Sequence, residues 1–283
     1  LLFLDLDGTL IGTEDIPTPR TIHAIRAAQE AGCTVVVCTG RNRHTVDPIT
    51  AHWEQSGGYG VYCNGAVICD LSTGQTVHRL KLPPDIIRRA AELAYQHDLA
   101  PLCYGVHVEE DGGESIYTDR ILPIHPRYLD WYGYRIRYSE TSFLTHGTAE
   151  ALSPVDIGVY GSERQVQPLF AAWKREFGSL VNMYACPEPR LGMEGWCAFI
   201  NHPDADKVHA AAWVAAQLEI PQSETMAIGD QLNDLRLLEW VGLGVCMGNG
   251  HEEAKARAGH VTASLSEDGA AQAIERFILR QQR

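Results

Sequence analysis

At 283 residues, with 36 acidic against 23 basic residues and a formal charge of -13, the chain lacks the basic surface that displaces counterions from nucleic acid. Apolar residues make up 45% and charged residues 21%, proportions usual in a globular protein, and no apolar run approaches the roughly 20 residues that cross a bilayer. Nucleic acid and membrane are therefore not expected as partners, and an anionic ligand must be drawn in by a local positive site.

The eight cysteines (33, 38, 63, 69, 103, 186, 197 and 246) form no CxxC pair, and several lie in apolar runs such as Val35–Cys38. This usage predicts reduced thiols and a cytoplasmic protein. The twelve histidines show no HExxH or Cys/His spacing, so a tetrahedral zinc site is not expected. The chain starts in an apolar strand, which predicts no signal peptide. Its length suits a core carrying a second, smaller domain.

In chain order, Leu1–Leu6 reads as a buried strand. Thr18-Pro19 supplies a helix N-cap and first turn, Ile22 and Ile25 an inward face, and Gly32 the helix end. Thr34–Cys38 and Tyr59–Asn64 read as further strands, followed by a hairpin of Ala66–Cys69 and Thr76–Leu80. After Pro83-Pro84 the pattern becomes mixed: helices at Asp85–Gln96 and Glu163–Phe177, strands at Leu102–Val108, Ser115–Thr118, Val155–Tyr160 and Leu180–Ala185. The prolines from Pro187 to Pro189 mark the expected return to β/α alternation. Strand Trp196–Asn201, helix Asp206–Leu218, strand Thr225–Ile228, helix Asn233–Trp240 and strand Leu243–Cys246 then follow, which favours a parallel sheet covered by helices.

Polar clusters interrupt this pattern. Asp5-Leu6-Asp7-Gly8-Thr9-Leu10 puts two carboxylates at the end of a buried strand. An Asp-Gly turn explains part of the cluster; carboxylates facing a hard cation at the carboxyl end of a parallel strand explain more. Thr39-Gly40-Arg41 offers a hydroxyl, a bare backbone N–H and a guanidinium, an anion cradle or a plain strand-to-helix turn. Lys207 falls in a first helical turn, where the helix dipole disfavours a cation unless a phosphate sits nearby. In Gly229-Asp230-Gln231-Leu232-Asn233-Asp234, helix capping accounts for Asn233 or Asp234 and leaves Asp230 unexplained.

Taken in order, DLDGTL, CTGR, the single Lys and GDQLND resemble the motifs of the haloacid-dehalogenase-like phosphohydrolases, over the whole core. The short interval from Asp7 to Thr39 and the long one from Thr39 to Lys207 are similar to the Cof-type, or subclass IIB, layout. Asn64-Gly65-Ala66 and the stretch from Gly242 to Asn249 add to the likeness, with Cys246 where Ala is more common. The resemblance implies an α/β fold, a Rossmann-like parallel-sheet core at 1–82 and 191–283, and an inserted α+β cap domain of C2 type at 83–190.

It also implies roles. Asp5 is the expected nucleophile, forming an aspartyl-phosphate, and Asp7 the general acid and then base. Thr39, the Gly40 N–H and Lys207 are expected to hold phosphate oxygens, with Arg41 and Asn64 near the substrate and Asn233 orienting the phosphate or Asp5. Asp5, the Asp7 carbonyl and Asp230 are the expected Mg²⁺ ligands, with Asp234 bound directly or through water.

The expected activity is a Mg²⁺-dependent phosphatase acting on small phosphorylated metabolites beneath a closing cap. A phosphomutase or phosphotransferase passing the group to a sugar hydroxyl is the nearest alternative, and a non-catalytic phosphate-binding module another. A carbon–halogen hydrolase needs neither Asp7 nor the metal carboxylates. Gly242, Gly244 and Gly248 form a loose dinucleotide-like pattern, but they flank a strand and not a strand-to-helix turn. Trp131, Tyr132, Tyr134, Arg135, Arg137 and Glu194 are the cap candidates for substrate contact; the sequence defines neither the substrate among sugar phosphates, nucleotides and phosphorylated vitamins nor the oligomeric state.

Overall fold

The computed structural model describes residues 1–53, 58–108, 114–120, 136–138, 154–188 and 194–280. The chain opens with β1 (Leu2–Leu4), α1 (Pro19–Glu30), β2 (Val35–Val37) and α2 (Arg43–Thr50), then β3 (Tyr59–Tyr62), β4 (Val67–Asp70) and β5 (Thr76–Arg79). Next come α3 (Pro84–Gln96), β6 (Leu102–Val108), β7 (Glu114–Thr118), β8 (Ile136–Tyr138), β9 (Asp156–Ser162), α4 (Glu163–Phe177), β10 (Asn182–Pro187) and β11 (Gly195–Asn201). The remainder is α5 (Lys207–Gln217), β12 (Met226–Gly229), α6 (Leu235–Trp240), β13 (Leu243–Cys246), α7 (Glu252–Arg257), β14 (His260–Val261) and α8 (Gly269–Ile274). Contacts divide the chain into two compact units: Leu1–Arg41, Val46–His78 and Asp206–Arg283 in one, Asn42–Thr45 and Arg79–Ala205 in the other. Among the described residues no helix is long and apolar enough to cross a membrane.

The first unit is built on a five-stranded parallel sheet in the order β14-β13-β12-β1-β2. Its central strands are apolar at every position because both faces are covered; Leu2, Phe3 and Leu4 have no exposed surface. Burying side chains of this size stabilises by about 1.5–3 kcal/mol each. Thr18 caps α1 by accepting from the Thr21 N–H, Pro19 fills the first turn, and Ala24, Ile25 and Ala28 are buried. Gly32 closes the connection with a φ of +86°, which a glycine adopts without strain.

Tyr59–Asn64, read as a third strand, has two partners: β3 pairs antiparallel with β4, with Val61 opposite Ile68, and meets the end of β2 in a parallel bridge at Cys38–Val61, where the Thr39 N–H donates to the Val61 carbonyl at 3.0 Å. The turn into β4 has a local cause: Cys63 and Asn64 take left-handed φ values of 50° and 53°, turning the chain back at once.

The second unit is a six-stranded sheet in the order β10-β11-β9-β6-β7-β8, antiparallel except for the β7–β8 pair. Helices α3 and α4 share a core with it that includes Ile87, Leu169, Trp173, Ile157 and Ile200. Trp173 Nε1 donates to the Ala90 carbonyl at 3.3 Å, tying α4 to α3.

The reading of Trp196–Asn201 as a strand of the resumed core alternation is corrected here: β11 lies between β10 and β9 in this second sheet. Its period-two pattern explains the placement. Ala198 and Ile200 join the core shared with α3 and α4, while Cys197 and Phe199 pack with Leu102, Tyr104 and Tyr160. An apolar face on both sides made the strand read like one of a parallel sheet. Of the cap residues singled out above, Trp131, Tyr132, Tyr134 and Arg135 lie outside the described residues.

Candidate active site

Three adjacent parallel strands, β2, β1 and β12, are followed within one or two residues by Thr39, Asp5 and Asp230 respectively, so the sheet's carboxyl edge collects these side chains. The Asp5 N–H continues the ladder to the Ile228 carbonyl at 3.0 Å before the chain leaves the sheet. It leaves through Gly8, whose φ is +80° and where an added Cβ would stand 2.3 Å from Asp230 Oδ2. Only glycine fits both the backbone and the space.

Lys207, the first residue of α5, reaches off its helix into this edge. Its Nζ donates to Asp5 Oδ1 and to Asp234 Oδ1, both at 2.6 Å, and the side chain has no exposed surface. The awkward dipole position is thus explained: two carboxylates, not the helix, determine where the ammonium sits. Asp234 Oδ2 accepts from the backbone N–H of Asp230 and of Gln231, at 3.1 and 3.0 Å. Asp230 Oδ2 accepts from Gln231 Nε2 at 3.0 Å, and its Oδ1 faces the Thr9 hydroxyl at 3.4 Å. Among the described residues, Asp5 Oδ2 accepts no hydrogen bond.

Burial works against the Lys207 charge, but Asp234 and Asp5 outweigh it and raise its pKa above the usual lysine value. Burial pushes Asp5 well above the ordinary carboxylate range, with Asp234 and Asp230 adding to the rise and Lys207 opposing it. Burial, then Asp234, pushes Asp230 up to about 7. The cause is an excess of carboxylate over ammonium out of water. Asp5, Asp230 and Asp234 are all buried, with oxygens within 4.8 Å of one another. A donor set made only of oxygens and carrying surplus negative charge fits a hard divalent cation.

Beside the carboxylates lies a set of donors. Thr39 Oγ1 accepts from the Arg41 N–H at 3.1 Å, which leaves the hydroxyl proton available to donate. Asn64 is buried at 4% exposure; its Oδ1 accepts from Asn233 Nδ2 at 3.0 Å, while its Nδ2 has no hydrogen-bond partner among the described residues. A buried, unused N–H₂ is costly in the protein alone and suits an anionic oxygen. Gly40 packs closely on the same amide: a Cβ there would lie 3.2 Å from Asn64 Oδ1.

The sequence pattern of the haloacid dehalogenase-like hydrolases matches residues 2–274. The chain belongs to that family. Phosphatase YwpJ of Bacillus subtilis is 29% identical over 98% of this chain and 99% of its own length. Pyridoxal phosphate phosphatase YbhA of Escherichia coli is 26% identical, covering 97% of each chain. A haloacid dehalogenase-like hydrolase of Bacteroides thetaiotaomicron superposes with a TM-score of 0.80 at 25% identity, over 97% of this chain and 98% of the other. This hydrolase is accordingly a phosphoric monoester hydrolase of the Cof-type layout.

Most of the residues singled out in the hydrolase's sequence meet at this edge. Asp5, Lys207, Asp230 and Asp234 form one network, and Thr39, Gly40, Asn64 and Asn233 adjoin one another. Asp7 and Arg41 differ. The Asp7 carboxylate lies outside the acidic cluster and is held by Arg41, whose Nε and Nη2 reach Asp7 Oδ2 and Oδ1 at 2.7 and 2.6 Å. Arg41, expected near the substrate, binds Asp7 and Asp15 in this structure. Thr9 and Gln231 lie inside the quoted motifs but were given no role, and nothing in the sequence marks Asp15, since each of these contacts depends on how the turn after β1 or β12 folds.

Proposed function

We infer that this hydrolase removes the phosphoryl group from small phosphorylated metabolites by passing it through the side chain of Asp5, with Mg²⁺ as its cation. The observation that carries this reading is the Lys207 contact with Asp5 at the end of β1: one carboxylate oxygen is fixed while the other accepts no hydrogen bond among the described residues.

In this reading Asp5 Oδ2 attacks phosphorus, the ester oxygen leaves with a proton from Asp7, and Asp7 then takes a proton from the water that attacks the aspartyl-phosphate. The Thr39 hydroxyl, the Gly40 N–H, Lys207 and Asn64 Nδ2 hold the phosphate oxygens, so that stabilisation of charge is prepaid in the fold. Asp5, the Asp7 carbonyl, Asp230 and Asp234 are the proposed cation ligands. When bound, the cation screens the repulsion between the carboxylate nucleophile and the phosphate.

The proposed division is a catalytic core of residues 1–82 and 191–283 with an inserted cap at 83–190. The second sheet extends past that boundary, because β11 runs to Asn201.

Phosphate release by the purified protein, with Mg²⁺ and with excess chelator, on a panel of sugar phosphates, nucleotides and phosphorylated vitamins tests the reading. Pyridoxal phosphate belongs on the panel, since one relative is named for it. Mg²⁺-dependent release from small esters is expected. Release that persists in chelator, or transfer to an added sugar without free phosphate, would replace this account.

A further inference from the structure

Arg41 lies between two carboxylates. Its Nη2 reaches Asp7 Oδ1 and Asp15 Oδ1, both at 2.6 Å, and its Nε reaches Asp7 Oδ2 at 2.7 Å. The guanidinium is largely buried, with 10% of its side chain exposed, whereas the Asp7 side chain is 41% exposed. The arginine backbone is itself anchored: its N–H donates to Thr39 Oγ1 at 3.1 Å, and its carbonyl accepts from the Cys63 N–H at 2.9 Å. Asp15 meets it from a left-handed backbone, with φ of 54°. Aspartate is among the few non-glycine residues that adopt this conformation readily, because its short polar side chain can bond locally.

We propose that Asp15 is a positioning residue for the acid–base step: by anchoring Arg41 it fixes where the Asp7 carboxylate stands. The inference rests on the role of Asp7 given above. Two parallel N–H···O bonds hold a carboxylate in one plane and one direction, which a single contact would not. A guanidinium beside a phosphate cradle has a competing partner in the phosphate itself, since arginine binds that group with the same fork. Asp15 holds the far edge of the fork and keeps its other edge on Asp7. Proton transfer to a leaving oxygen demands that placement, because it works only within hydrogen-bond reach.

The test reads dependence on the leaving group. A general acid matters little for p-nitrophenyl phosphate, whose phenolate leaves easily, and more for phenyl phosphate, and kcat/KM covers the steps up to phenol release. The ratio of kcat/KM for the two esters is measured, with Mg²⁺, for the whole enzyme and for Asp7→Asn, Asp15→Asn and Arg41→Lys, with melting temperatures alongside. Asparagine suits the left-handed backbone at position 15, and the arginine variant approaches the same contact from its other side. The ratio is expected to rise about tenfold or more in all three variants, a tenth or less of the acid's contribution being left when its placement is lost. A ratio that rises in Asp7→Asn and stays at the parent value in Asp15→Asn and Arg41→Lys overturns the positioning role while leaving Asp7 in place. An unchanged ratio in Asp7→Asn overturns both.

Discussion

The Nζ of Lys207 lies 2.6 Å from Oδ1 of Asp5, although 202 residues separate them in the chain. The contact joins the start of α5 to the end of β1 and fixes the orientation of the carboxylate on which the proposed chemistry turns. An ammonium with no exposed surface, held by Asp5 and Asp234, is also a structural element whose removal leaves like charges buried together.

Lys207→Met keeps most of the side-chain volume and removes the charge. It should lower the unfolding free energy of the metal-free protein by about 3 kcal/mol, the usual consequence of leaving buried ionic partners unmatched, and should abolish turnover. Urea unfolding in chelator measures the first effect; an unchanged midpoint would show that the lysine is not what holds the carboxylates.

Gly8→Ala meets two obstacles, a φ of +80° and an Asp230 oxygen 2.3 Å from the new Cβ. Gly32→Ala is its control, with a similar φ of +86° and no atom within 4 Å of the added carbon. Both variants should lose about 1 kcal/mol from the backbone alone. Gly8→Ala should lose more and should also bind cations more weakly, because Asp230 must move. Equal melting temperatures and equal Mg²⁺ affinities for the two variants would contradict that.

The parts of this site that the sequence made legible are those carried by short contiguous patterns. The strand ends at Asp5, Thr39 and Asp230 follow from apolar runs broken by polar residues, and Lys207 drew notice because it opposes its helix dipole. Asp15 could not be found this way, since its role depends on a left-handed turn that brings it to Arg41. Nor could the true place of β11, since a strand buried on both faces reads alike in a parallel sheet and in a covered antiparallel one. The reversal at Cys63 and Asn64 was less hidden: the Asn64-Gly65 pair favours a tight turn, and all three residues from Cys63 to Gly65 take positive φ values.

The surplus carboxylate charge gives cation binding a pH dependence. Asp230, pushed up to about 7 in the folded protein from an ordinary 3.8, takes up a proton on folding between those values. This group therefore costs the metal-free protein stability as pH rises through that window. A cation must displace the proton, so Mg²⁺ affinity should fall as pH drops below about 7. Calorimetric titration of the metal-free protein one unit below and one unit above this value, in buffers of different ionisation enthalpy, measures both affinity and released protons. Equal affinity at the two pH values would show that Asp230 is already ionised without the cation.

The central claim is that Asp5 carries the phosphoryl group. The direct measurement is a single turnover of p-nitrophenyl phosphate on Asp7→Asn, which lacks the base for the second step, quenched in acid at successive times and followed by mass analysis of the peptide containing residue 5. The account predicts release of nitrophenol ahead of phosphate, with the mass of one phosphoryl group appearing on Asp5 and then declining as phosphate is freed. Nitrophenol and phosphate released together with Asp5 unmodified, or a phosphoryl group found on another residue, would contradict it.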